Sequence, residues 1–151
     1  MRKNRFSRFW QLDRQRRAAL IEAAWTMAAA QLALRLLPFR WIAPRLGRPT
    51  NSPSMEPVSA GQAQEARRVG WAIQTLAHRF PWDENCLAQA VAGKRMLQRR
   101  GLPSALYLGV DHGQEKWLEA HAWLRCGSEF VTGEPQHERF KVLVVFTEDR
   151  A

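Results

Sequence analysis

The alternation of apolar and polar positions divides the chain into a helical first half and a strand-rich second half. Residues 18–37 are apolar almost all round, with only Glu22, Thr26, Gln31 and Arg35 polar, and these do not share one face. Strong helix propensity predicts a helix here, and an all-round apolar surface implies burial in protein or contact with lipid. A basic leader, residues 1–17, precedes it, and residues 38–48 end it. Residues 49–60 are rich in Pro and Ser and read as an exposed linker. A second helix is predicted at about 61–79, where Ala66, Val69, Ile73, Leu76 and Ala77 fall on one face. A third follows the break at Phe80-Pro81-Trp82. Its apolar positions are Leu87, Ala90, Val91, Met96 and Leu97. Asp83 and Asn85 both suit its N-cap, Gly101 suits its C-terminal end, and Pro103 stops continuation.

From residue 104 the period changes to two. Strands are predicted at 104–111, 117–125, 129–132 and 140–147, with turns at 111–114 and 126–128. Helices followed by a strand meander predict an α+β fold in which the third helix packs on an antiparallel sheet. The expected organisation is a basic, apolar helical segment over 1–48, the linker over 49–60, and the main domain over 61–151.

A chain of 151 residues is the size of one domain. Its formal net charge of +9 points to an anionic partner or surface. No zinc-finger or RNA-binding signature is present, so nucleic acid is not expected. The two cysteines, Cys86 and Cys126, make neither a disulfide framework nor a zinc-ligand spacing, which fits a reducing cytoplasm. Glu22, Gln31 and Arg35 disfavour a membrane span over 18–37, and the stretch is too long and too alanine-rich for a signal peptide. A helix packed on protein is expected, with peripheral membrane contact through the basic leader as the alternative.

Candidate chemistry centres on Cys86. A thiol in the first turn of a helix sits where free backbone N–H groups favour negative charge, and the thiolate is the nucleophile. A small buried apolar cysteine would fit the same pattern, so a partner histidine has to decide. Of His78, His112, His121 and His137, only His121 lies mid-strand, between Ala120 and Ala122. Alternation puts Glu119, His121, Trp123 and Arg125 on one face. Rigid strand backbone suits a catalytic base, although a core histidine bonded to a backbone carbonyl would look alike.

Four blocks carry a resemblance: Cys-Leu-Ala-Gln-Ala at 86–90, Arg-Met-Leu-Gln-Arg-Arg-Gly at 95–101, Leu-Tyr-Leu-Gly-Val at 106–110 and Glu-Ala-His-Ala-Trp-Leu-Arg-Cys-Gly at 119–127. Together with Leu-Arg-Leu-Leu-Pro-Phe-Arg at 34–40, they resemble the stand-alone transglutaminase-like leader peptidases of lasso-peptide biosynthesis, over most of residues 16–147. The resemblance implies a papain-like or transglutaminase-like core and a cysteine protease that removes the leader from a ribosomally made precursor. It also implies a separate leader-recognition protein and an asparagine-synthetase-like cyclase as partners. Cys86 would be the nucleophile and His121 the base. Relatives of this fold place an acid on the strand after the histidine. Here that position falls near Gly133, so either Glu134 serves from a displaced loop or a neutral group orients His121. The Cys86 backbone N–H, with Gln89 and Trp123, are the candidates for oxyanion or substrate contact. The chemistry calls for no metal or other cofactor. A transglutaminase-like acyltransferase and a non-catalytic peptide-binding module are the alternative functions.

Overall fold

The computed structural model describes residues 5–53, 56–79, 85–111 and 119–148. Five helices come first or early: α1 (Arg5–Trp10), α2 (Arg14–Leu36), α3 (Phe39–Ile42), α4 (Ala60–Ala77) and α5 (Cys86–Arg99). Among the described residues there are five strands: β1 (Arg48–Thr50), β2 (Ala105–Asp111), β3 (Glu119–Cys126), β4 (Glu129–Thr132) and β5 (Lys141–Thr147). Two 3-10 turns, Ala43–Leu46 and Glu134–Arg139, link α3 to β1 and β4 to β5.

α2 begins four residues before the predicted start, because Asp13 caps it. The Asp13 carboxylate accepts from the Arg16 backbone N–H at 2.8 Å. Its sequence is apolar all round, yet only one side is buried: Ala19, Leu20, Ala23, Met27 and Ala30 pack toward α4 and α5. Ile21, Trp25, Leu32 and Leu36 stay exposed. The interrupting polar residues find specific partners. The Thr26 hydroxyl donates to the Glu22 carbonyl at 2.8 Å, and the Glu22 carboxylate pairs with Arg100 at 2.7 Å. α4 starts on a capping box, in which Ser59 and Gln62 satisfy each other's backbone N–H. At the end of α5, Gly101 adopts φ +64°, and the Leu102 N–H returns to the Leu97 carbonyl.

α4 and α5 pack side by side on the sheet, and α2 lies across their outer face. Small residues allow this close approach. A Cβ on Gly93 would come 2.7 Å from Leu124 Cδ2, and a Cβ on Gly70 of α4 would come 2.8 Å from the Val131 carbonyl oxygen. The sheet is antiparallel throughout, in the order β1-β5-β2-β3-β4.

Two features depart from the sequence reading. The last strand does not extend the meander; after β4 the chain crosses back and β5 pairs with the free edge of β2. The start of the stretch read as linker is a strand, since Arg48–Thr50 pair with Val145–Thr147. A three-residue edge strand carries too little alternation to be read, and Pro49 is tolerated because an edge strand leaves one side unpaired. Among the described residues, no helix is long and apolar enough to cross a membrane.

Because α2 contributes to the same core as α4, α5 and the sheet, deleting residues 1–45 should leave an unfolded or aggregating chain. Far-ultraviolet circular dichroism with a urea titration checks this: the truncated chain should show no cooperative transition.

Candidate active site

Cys86 is the first residue of α5 and is half-buried. The helix start is built by Asn85, whose side-chain Oδ1 accepts from the Ala88 N–H at 3.0 Å. Asn85 Nδ2 donates in turn to Gln31 Oε1 on α2 at 2.8 Å. Gln31 is only 8 % exposed. The cap that orients the cysteine's helix is therefore fixed by a buried amide 54 positions earlier in the chain. The other N-cap candidate, Asp83, lies outside the described residues, as do Phe80, Pro81 and Trp82. Gln89 sits one turn after Cys86, half-buried, with its backbone N–H on the Asn85 carbonyl.

His121 lies in β3 opposite Gly109 and is half-buried. Its ring packs on Phe140 at 4.8 Å between centroids and on Trp123 at 5.9 Å. Trp123 is 3 % exposed and stacks on Tyr107 at 5.3 Å. Its place is beside the imidazole, within an aromatic cluster, and not on a surface open to substrate. The His121 Nε2 lies 3.0 Å from the Gly133 carbonyl oxygen. A carbonyl can only accept, so this contact requires the proton on Nε2 and leaves Nδ1 of the neutral ring as a free acceptor.

Gly133 stands where an acid was expected, and the geometry shows why glycine is there. Its φ is +78°, and a Cβ would come 2.7 Å from both the Ala122 carbonyl and Trp123 Cβ. Glu134 is exposed, and among the described residues its carboxylate makes no hydrogen bond or ion pair; its backbone carbonyl accepts from His137 Nδ1 at 2.7 Å. His137 packs against Phe130 at 4.5 Å. His78 is exposed just beyond α4, and His112 lies outside the described residues.

Cys86 and His121 share a level of the helix–sheet layer. α5 runs parallel to β3, since its end leads into β2, whose Ala105 pairs with Arg125. Gly93 sits over Leu124. Stepping back from there to Cys86 along α5, and to His121 along β3, covers about 10 Å in each case. Alternation along β3 turns Ala122 and Leu124 toward α5 and sends His121 and Trp123 to the aromatic cluster. Among the described residues, the Cys86 thiol makes no hydrogen bond, and the side-chain polar contact of His121 goes to Gly133. His121 and Cys86 thus lie on opposite faces of β3, and among the described residues the structure does not bring the two side chains into contact.

Sequence reasoning overlooked Gln31, which registered only as an interruption of an apolar helix. It also gave no role to Phe140 or Tyr107, whose partners are remote in sequence.

The second cysteine behaves differently. Cys126 is fully buried, and burial pushes its thiol up from the ordinary value, with the Glu148 and Glu129 carboxylates adding to the effect. Iodoacetamide near neutral pH should therefore label Cys86 in the native protein and reach Cys126 only after unfolding, as peptide mapping by mass spectrometry would show. A second expectation concerns Gly133. Gly133→Asp should not supply a missing acid. It should instead displace Trp123 and the His121 seat and lower stability by about 1–3 kcal/mol in chemical denaturation.

The chain matches the family described as the Transglutaminase-like superfamily over residues 33–145. No curated protein and no solved structure matches it. The matched stretch runs from the end of α2 to β5 and takes in both Cys86 and His121. A capped cysteine helix on an antiparallel sheet with a strand histidine accords with that match, and the chain belongs to the transglutaminase-like superfamily, which includes cysteine proteases and acyltransferases.

Proposed function

We propose that this protein is a cysteine peptidase that removes the leader from a ribosomally made lasso-peptide precursor before the core is closed into a macrolactam. The observation that supports the reading is the transglutaminase-like match over residues 33–145, which takes in Cys86 at the capped start of α5 and His121 on β3; the His121 Nε2 contact with the Gly133 carbonyl leaves Nδ1 as the proton acceptor the reading needs. In this reading Gly133, and not Glu134, orients the base. The third member of such a constellation chiefly holds the tautomer, and a carbonyl is able to do so.

The reaction runs as acyl transfer. Nδ1 of His121 takes the Cys86 thiol proton, and the thiolate attacks the scissile carbonyl carbon. The resulting oxyanion is held by the Cys86 backbone N–H at the helix start, with Gln89 as the adjacent side-chain candidate. The intermediate collapses as His121 returns the proton to the leaving amine, which departs and leaves a thioester on Cys86. Water, deprotonated by His121, then attacks the thioester. Its collapse frees the new carboxyl terminus and restores the thiol. The partners in this reading are the precursor, a separate leader-recognition protein and an asparagine-synthetase-like cyclase, in a reducing cytoplasm.

The purified protein, incubated with a precursor and leader-recognition protein encoded beside it, should release leader and core with the mass gain of one water between them. A leader fragment carrying an added amine in place of water at its new carboxyl end would identify an acyltransferase instead. Cys86→Ala should abolish cleavage, and His121→Ala should slow it by about 10²–10⁴ while the circular dichroism spectrum is retained. A folded His121→Ala that cleaves at the wild-type rate would overturn the assignment and leave a peptide-binding module.

A further inference from the structure

A concave site apart from Cys86 and His121 lies on the side of α5 away from the sheet. It is a groove of about 1010 Å³ between α2, the α3 segment and α5. Ala30, Ala33, Ile42, Leu46, Val91 and Ala92 line its apolar surface. Trp25, 75 % exposed, and Leu37 stand along it. Three guanidinium groups belong to its rim: Arg45, Arg95 and Arg99. Glu22 is the one acid in the lining, and it is already engaged by Arg100 at 2.7 Å and Arg99 at 3.5 Å. Arg45 donates to the Trp41 carbonyl and meets no carboxylate among the described residues. Arg95 is exposed and, among the described residues, has no hydrogen bond or ion pair.

The charge of the chain is uneven, although of the cations in its first 48 residues only Arg45 lines the groove. Residues 1–48 hold eleven Arg and Lys against Asp13 and Glu22, so that segment carries the whole net charge of +9. Residues 49–151 hold twelve of each sign and are neutral. The groove is thus apolar within, cationic at its rim, and built largely from the charged segment.

We propose that this groove docks an acidic amphipathic peptide segment of a partner protein. Apolar side chains of that segment would lie on the alanine-rich floor beside Trp25, and its carboxylates would meet Arg45, Arg95 and Arg99. The small floor residues let a backbone approach closely, as in helix-in-groove recognition. The volume reaches the top of the range for small-molecule cavities, about 300–1,000 Å³, and the site is a groove and not an enclosed chamber, which suits a peptide. A bilayer surface would reach the exposed stripe of Ile21, Trp25, Leu32 and Leu36 but would not fill a concavity whose floor includes buried Ala30 and Ala92. The site is separate from Cys86 chemistry and holds or fails independently of it.

The test uses the full chain and a labelled amphipathic peptide of about 14 residues with leucines at i, i+3, i+4 and i+7 and flanking glutamates, read by fluorescence anisotropy. A twin with lysine for every glutamate is the control, and vesicles containing anionic lipid are a parallel arm. The acidic peptide should bind saturably, the lysine twin at least tenfold more weakly, and rising salt should weaken the acidic complex. Arg95→Glu, on an exposed side chain with no partner among the described residues, should cost at least tenfold in affinity without altering the fold, and Trp25→Ala should do the same. Equal binding of the two peptides, or unchanged binding by Arg95→Glu and Trp25→Ala, would overturn the proposal. So would sedimentation with anionic vesicles in the absence of saturable peptide binding.

Discussion

A lysine with no solvent exposure is tolerated only when each of its three donors is answered, and much of this fold converges on that requirement at Lys94. Its Nζ reaches the Ser104 carbonyl at 2.8 Å, the Phe146 carbonyl at 3.3 Å and a Glu148 carboxylate oxygen at 2.7 Å. Glu148 also accepts from the Ser104 backbone N–H at 3.0 Å. The middle of α5 is therefore pinned to the start of β2 and the end of β5. Burial pushes the ammonium down from its ordinary value, and Glu148 opposes that shift. With the rotation of α5 fixed there and its small residues seated against Leu124 and Ile73, the other end of the helix has little freedom. That end carries Asn85 and Cys86, and Gln31 holds it from the opposite layer.

Much of this arrangement was legible in the sequence because local chemistry wrote it. Asn85, Gly101 and the apolar spacing between them announced α5, and period-two alternation announced β2, β3 and β5. What escaped notice depends on partners far apart in the chain. β1 exists because three residues find the edge of a strand nearly a hundred positions later. The pairing of β5 with β2 is a property of the whole sheet. The orientation of His121 could not be read because its partner is a backbone carbonyl, and every residue type has one.

The Gly133 carbonyl has a chemical meaning distinct from that of a carboxylate. It fixes the ring and its tautomer, but it brings no full charge to balance an imidazolium. The positive φ at Gly133 and its closeness to Trp123 tie this choice to the packing of the aromatic cluster. Tyr107, Trp123 and Phe140 thus support the histidine from below, and the geometry of the ring is set by stacking as much as by hydrogen bonding.

The uneven placement of charge bears on how the molecule meets its surroundings. A body neutral over two thirds of its sequence, with its net charge gathered in one segment, experiences a torque as well as an attraction near an anionic surface. At physiological ionic strength the screening length is about 8 Å, far shorter than the roughly 35 Å of a 23-residue helix such as α2. The torque therefore acts only in the last moments of an encounter, when the helical end is already close. The remainder is neutral only in sum, with Arg95 and Arg99 facing the groove, so ionic strength would govern the rate of arrival chiefly at the face that α2 covers.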